Sequence, residues 1–429
     1  MTEFSGLPLE DPEKLGFSRQ RLERIAHTME EAVRSGHVPC TATVVVRQGK
    51  VAHSHCCGVL DLELGGELPM DALFRMYSQT KPMVAAMTMV LFEEGLFLLD
   101  EPISKFLPEF SDPTVVVQAS LKDQVRGSGL FGPQEVRAQR EITIFDLLTM
   151  TSGIANQSVS PTELWPLFKA SWEGTGFWAE DTQINAPVIG SYEALVLSLA
   201  AIPNFAHPGA EWRYGSDFDL LTLLLERASG CPIDELMRTR IFEPLGMKDS
   251  TFYCPKDKVA RLATDHTWSE QGSLVVHDPA ASAEKVHGGD PRLMSGNGLF
   301  GGVLSTPADY TRFAQMLLNG GHLDGVQVLG RKTVELMTTN HIGDKEINLG
   351  IGPGYGFGFG VQVQKGVGGA RIPGSAGAFG WGGAAGTWFF VDPSEDLTAL
   401  FFTNVFGYQY SPTADLVERF VKQTYEALV

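Results

Sequence analysis

The segment Arg75-Met76-Tyr77-Ser78-Gln79-Thr80-Lys81-Pro82-Met83, with the apolar run Val84 to Leu91 behind it, decides how this chain is read. Proline is tolerated in the first turn of a helix, where backbone N–H groups have no intrahelical partner, and not deeper. Pro82 therefore predicts a helix that begins at about Ser78. Val84, Ala85, Ala86, Met87, Met89, Val90 and Leu91 leave that helix apolar nearly all round, the mark of a buried element, and Gly95 ends it. Residues three apart share a helix face. Lys81 thus stands one turn from Ser78, its amine within reach of the hydroxyl. A serine needs a base to become a nucleophile. A lysine amine in apolar surroundings can serve as one, and the free N–H groups of a helix start suit a developing oxyanion. A Ser-x-x-Lys spacing is common by chance, so its chemical meaning depends on what else the chain supplies.

A chain of 429 residues with 43% hydrophobic content has room for one large or two intermediate domains. No segment approaches the ~18–20 unbroken apolar residues of a membrane span. Met1 to Lys14 lacks the basic start and apolar centre of a signal peptide, so the expected location is cytoplasmic. The net charge of −18, from 51 acidic and 33 basic residues, argues against nucleic acid or an anionic membrane as partner. Cys40, Cys56, Cys57, Cys231 and Cys254 are odd in number and lack a C-x-x-C pair, which reads as free thiols in a reducing compartment. His53 and His55 beside Cys56 and Cys57 suggest a metal, but zinc needs about four convergent ligands. Alternation along a hairpin strand explains the pair more simply, so no metal and no cofactor are expected.

Along the chain, Ser18 reads as an N-cap with Phe17 and Leu22 as a hydrophobic staple, opening a helix that runs to Gly36. Thr41 to Val46 reads as a strand, Gln48-Gly49-Lys50 as a turn, and Val51 onward as the partner strand. Asp100 to Arg140 is loop-rich. Gly127-x-Gly129-x-x-Gly132 follows charged residues rather than an apolar strand and is rejected as a dinucleotide site. Thr143 to Asp146, Ser216 to Asp219 and Thr306 to Asp309 each read as a capping box opening a helix. Pro161 to Pro187, with Trp165, Trp172 and Trp178, reads as an irregular lid or wall, and Val259 to Gly289 as a polar loop. Thr387 to Val391 and Leu397 to Phe402 form a hairpin, and Leu416, Val417, Phe420, Val421, Tyr425 and Leu428 stripe a last helix. Strands at both chain ends and helices between them predict an α+β fold of the three-layer α/β type. Its antiparallel sheet is built from residues 1–75 and 300–429 and flanked by terminal helices. Residues 76–299 form an inserted, mainly helical domain, with the active site between the two.

Three further stretches give the Ser78–Lys81 pair its context. Leu147-Leu148-Thr149-Met150-Thr151-Ser152-Gly153 follows it, then Pro208-Gly209-Ala210-Glu211-Trp212-Arg213-Tyr214-Gly215-Ser216, then Trp381-Gly382-Gly383-Ala384. In this order the four resemble the serine β-lactamase and penicillin-binding-protein superfamily, most of all its class C-like branch of family VIII carboxylesterases. The resemblance covers nearly the whole chain. It implies Ser78 as nucleophile, Lys81 as its base partner and Tyr214 as catalytic tyrosine. It also implies an oxyanion hole at the backbone N–H groups of Ser78 and Ala384, and a substrate-binding edge at Trp381, Gly382 and Gly383. A phenol beside an ammonium gives up its proton more readily, and three such groups titrate as one coupled system.

Two positions depart from the superfamily pattern. Met150 stands where histidine is usual. Trp381 replaces the lysine of the Lys-Thr-Gly motif, and an indole cannot hold a carboxylate as an ammonium does. Arg371 is a candidate replacement cation. The expected activity is hydrolysis of short-chain carboxylic esters, small neutral molecules, through an acyl-enzyme on Ser78. A β-lactamase-like amidase or an acyltransferase on the same site is the alternative. A non-catalytic ligand-binding or scaffold homologue is a third reading, which the intact Ser78, Lys81 and Tyr214 set opposes. Nothing matches Gly-x-Ser-x-Gly or His-Glu-x-x-His, so the α/β-hydrolase and zinc-protease readings find no support.

Overall fold

The computed structural model describes residues 3–117, 134–154, 192–280, 302–347, 349, 352–412 and 414–429. The Gly127 to Gly132 pattern and the tryptophan-bearing segment 161–187 lie outside them. The run Thr41 to Val46, rich in β-branched residues, forms the centre of β1, Cys40–Arg47. β2, Lys50–Asp61, returns antiparallel beside it. Gln48 and Gly49 both take positive φ, 54° and 68°, as a two-residue hairpin turn with matching twist requires.

Six further strands complete one antiparallel sheet: β3 Gly65–Glu67, β4 Tyr355–Phe357, β5 Gln362–Gln364, β6 Phe379–Gly382, β7 Trp388–Asp392 and β8 Leu397–Phe402. Their order is β4-β5-β6-β7-β8-β1-β2-β3. The two chain ends meet at β8 and β1, in register from Leu397 opposite Arg47 to Phe402 opposite Ala42. Alternation along the strands separates two cores. Val45, Phe390, Ala399 and Phe401 face α1, Arg19–Arg34, and α6, Leu416–Glu426. Val44, Phe389, Leu400 and Phe402 face the opposite core, which α5, Pro307–Leu318, covers. These three layers are the expected fold class.

The helical residues pack beyond α5. α2, Lys81–Glu93, is buried from Lys81 to Leu91 and lies against α4, Asp217–Ser229. α3, Ile144–Leu148, opens with a complete Thr143–Asp146 capping box. At Thr306 the cap is half of one: Thr306 Oγ1 accepts from the Asp309 N–H, while the Asp309 carboxylate takes the Asp249 N–H and the Ser250 hydroxyl. The expected box at Ser216 does not form. Ser216 has φ −87° and ψ 20°, outside the extended region from which an N-cap side chain reaches back to its helix.

The expected loop over 259–289 is also corrected. Asp265–Trp268 and Leu274–Asp278 pair as an antiparallel hairpin, joined to the sheet by the His266 N–H to Asn404 and the Phe406 N–H to His266. A second unforeseen hairpin pairs Thr114–Val117 with Gln134–Arg137.

Tyr310 of α5 is fully buried, and its hydroxyl donates to the Gln79 carbonyl at 2.8 Å, fastening the turn before α2 to the sheet's helical cover. Tyr310→Phe is expected to lower stability by about 1 kcal/mol. A lower urea midpoint at unchanged slope would register it.

Candidate active site

Ser78 does not sit on the α-helix. Tyr77–Thr80 is a 3-10 turn, and the α-helix starts at Lys81 with Pro82 in its first turn. This corrects the predicted start by three residues and tightens the pairing, because residues three apart eclipse in a 3-10 turn. The Lys81 amine, fully buried, donates to Ser78 Oγ at 3.1 Å. Ser78 Oγ is also hydrogen-bonded to the Tyr214 hydroxyl. The Lys81 Nζ lies 4.9 Å from the centroid of the Tyr214 ring, a cation–π distance. Residues far apart in sequence thus converge on one oxygen.

The loop carrying Tyr214 is fastened to the segment after α3. The Arg213 N–H donates to the Met150 carbonyl at 3.0 Å and the Gly209 N–H to the Thr151 carbonyl at 2.7 Å. Met150, whose carbonyl accepts from Arg213, has φ 53°, in the left-handed region. Ser152 Oγ donates to Asp217 Oδ1 at 2.6 Å, just past the tyrosine.

The sheet edge supplies the remaining wall. Trp381, 4% exposed, stacks on Tyr214 with centroids 6.4 Å and planes 20° apart. Phe357 meets Trp381 edge-on at 5.2 Å, and Trp212 contacts both Phe357 and Tyr214. A side chain at Gly383 would strike the Met76 carbonyl, so glycine is what lets the end of β6 touch the turn that carries Ser78. Gly382 has a packing reason instead: a Cβ there would run into the Trp388 ring. Ala384 follows in a tight turn closed by the Gly386 N–H to the Gly383 carbonyl at 3.0 Å. Its own carbonyl accepts from the Tyr408 N–H. Arg371 is exposed, closing the short helix Val367–Ala370. Among the described residues no three His, Cys, Asp or Glu side chains converge as a metal site.

Sequence reasoning missed Asp217. Its carboxyl is fully buried at the first position of α4. Burial pushes it up to about 7, against the Ser152 hydrogen bond and the attraction of Lys81, while Asp146 repels it further. A folded value above the unfolded one favours the neutral acid in the fold. Its stabilising effect is complete below the unfolded value near 4 and is lost as pH rises through 7. Asp217→Asn is expected to remove this dependence. The variant should gain stability relative to wild type between pH 4 and 8, by up to about 4 kcal/mol, seen as converging and then crossing melting curves. An unchanged pH dependence would refute the assignment.

The sequence profile of the Beta-lactamase family matches residues 25–422. Protein Rv1367c of Mycobacterium tuberculosis is 30% identical over 396 residues, 87% of this chain and 88% of that protein. Monacolin J acid methylbutanoyltransferase of Aspergillus terreus is 30% identical over 321 residues, 72% of this chain and 68% of that one. Among solved structures, EstCE1, a hydrolase with promiscuous acyltransferase activity, superposes with a TM-score of 0.71 at 23% identity, covering 95% of this chain and 98% of its own. The fold is therefore that of the β-lactamase and penicillin-binding-protein superfamily, and the chain belongs to the Beta-lactamase family, among relatives that hydrolyse or transfer acyl groups.

Proposed function

We propose that this protein is a serine carboxylesterase that cleaves short-chain, uncharged esters through an acyl-enzyme. The convergence of Lys81 Nζ and the Tyr214 hydroxyl on Ser78 Oγ carries this reading. In the first half-reaction Ser78 Oγ bonds to the ester carbonyl carbon and its proton passes to the Lys81–Tyr214 pair. The carbonyl oxygen becomes an oxyanion, held by the backbone N–H groups of Ser78 and Ala384. Collapse breaks the carbon–oxygen bond, and the same pair returns the proton to the leaving alkoxide. Water then repeats the sequence on the acyl-enzyme and releases the acid. A scaffold role would not require these three groups in contact.

The acyl-enzyme gives an alcohol acceptor the same opening as water. The transferase among the relatives and the acyltransferase activity of EstCE1 support transfer as the second reading. Adding an alcohol to a p-nitrophenyl ester assay separates the two: a new ester product at the expense of free acid marks transfer.

Ser78→Ala is expected to abolish ester hydrolysis and covalent labelling by a serine-directed phosphonate while the protein stays folded. Tyr214→Phe should lower kcat far more than it raises KM, because a proton carrier acts in the transition state. Normal turnover in either variant would remove that residue from the chemistry.

Trp381 underlies the choice of substrate. A carboxylate brought against Trp381 loses its water without a cation in return, and a lost charged hydrogen bond costs about 1.5–3 kcal/mol. That corresponds to roughly ten- to hundredfold in kcat/KM. The protein is expected to prefer p-nitrophenyl butyrate over a carboxylated cephalosporin, and a preference for the cephalosporin would overturn the esterase reading.

A further inference from the structure

The residue before Ser78 is held in a conformation that its side chain disfavours. Tyr77 has φ 44°, in the left-handed region, where a bulky non-glycine residue is an outlier. Such a conformation persists only when its surroundings over-determine it, and it is common at functional sites. The restraints on Tyr77 come from the Asp265–Trp268 and Leu274–Asp278 hairpin.

The Tyr77 hydroxyl donates to Asp265 Oδ2 at 2.5 Å, and its ring packs on Phe406 with centroids 5.5 Å apart. Phe406 is itself stacked under His277 and bonded through its N–H to the His266 carbonyl. Two residues upstream, the buried Arg75 donates through Nη1 to the Ala263 carbonyl at 2.9 Å. Its Nη2 pairs with Asp278 Oδ2 at 3.0 Å. Asp265 is fully buried, and burial pushes its carboxyl up to about 6, against the Arg75 charge and the Tyr77 hydrogen bond, which favour the carboxylate. The two strands of one hairpin therefore grip the two residues that flank Met76.

We propose that Asp265 and Arg75 are positioning residues for the nucleophile: the Tyr77–Asp265 hydrogen bond and the Arg75–Asp278 pair hold Tyr77 in its left-handed conformation and so fix where Ser78 Oγ stands. The proposal rests on the reading of Ser78 as nucleophile. Neither residue touches the reacting atoms. Each acts through the backbone of the turn. Misplacing a nucleophile by a fraction of an ångström lowers the rate of attack without weakening substrate binding.

The test compares wild type, Ser78→Ala, Tyr77→Phe, Asp265→Asn and the Tyr77→Phe/Asp265→Asn double variant. Each is assayed on p-nitrophenyl butyrate and labelled with a fluorophosphonate. Tyr77→Phe keeps the ring on Phe406 and removes only the hydroxyl. It should lower kcat and the labelling rate constant by about ten- to hundredfold, with KM within about threefold and a final label of one per chain. Asp265→Asn keeps an acceptor for the phenol and should retain more activity. The double variant should lose no more than Tyr77→Phe alone, because both changes break one link.

The final label counts competent chains, so loss of folded protein is separated from loss of rate. Tyr77→Phe with wild-type kcat and labelling rate overturns the proposal and leaves the esterase reading standing. Lower label stoichiometry with unchanged rate constants does the same, since it reduces the hydroxyl to a structural role. A wild type that takes no label where Ser78→Ala takes none overturns both.

Discussion

The burial of the Lys81 amine constrains everything around it. The helix it begins is apolar on every side and buried from its first residue, so the side chain cannot reach water. An amine taken out of water without partners is costly enough to lose its proton or unfold its surroundings. The fold supplies the Ser78 hydroxyl one turn away, the face of the Tyr214 ring and the field of Asp217. Two of these three come from α4 and the loop before it, because α2 and α4 pack together. The helix contact that closes the core is therefore the one that assembles the site.

The parts of this arrangement written in local spacing were legible. Ser78 and Lys81 announce themselves through Pro82 and the apolar run, and the sheet from both chain ends through alternation and turn residues. Tyr214 and Trp381 gained meaning only from the order of four motifs, since neither has a local signal. Asp217 was invisible because an acid at a helix start reads as an exposed, dipole-favoured residue, and only tertiary packing buries it. The Ser216 cap failed for a related reason: its backbone follows the path that brings Tyr214 to Ser78, not the extended path a cap needs. The 265–278 hairpin was hidden by polar residues such as Asp265, His266 and Asp278. Asp265 bonds Tyr77 and Asp278 pairs with the buried Arg75, while His266 accepts from the Leu62 N–H, so these polar residues are held by internal bonds and the usual alternation is absent.

Contact between the sheet and the helical residues is made at two points by missing side chains. Gly383 at the end of β6 lies against the Met76 carbonyl, on the approach to Ser78. Gly360, with φ 71°, lies between β4 and β5, where a Cβ would stand 3.0 Å from the Lys81 carbonyl. These are backbone-to-backbone approaches, and they fix the sheet edge against both ends of the Ser78–Lys81 turn. Ala384 inherits its place from the first of them. Its N–H belongs to a turn whose inner bond joins Gly383 and Gly386, leaving the amide out of that bond.

The charge balance inside the site ties its residue choices together. Lys81 and Asp217 are both fully buried, and Lys81 opposes the rise that burial imposes on the Asp217 carboxyl. The carboxyl, raised to about 7 by burial, sits at the edge between its two charge states. A second lysine at position 381 would add a cation beside Tyr214 and Lys81, in a pocket where like charges repel strongly. A substrate carboxylate would offset that cation; an uncharged ester would not. The indole at Trp381 avoids the repulsion and offers the Tyr214 ring a stacking surface in its place. Trp212, Tyr214, Phe357 and Trp381 pack on one another as one aromatic cluster beside Ser78.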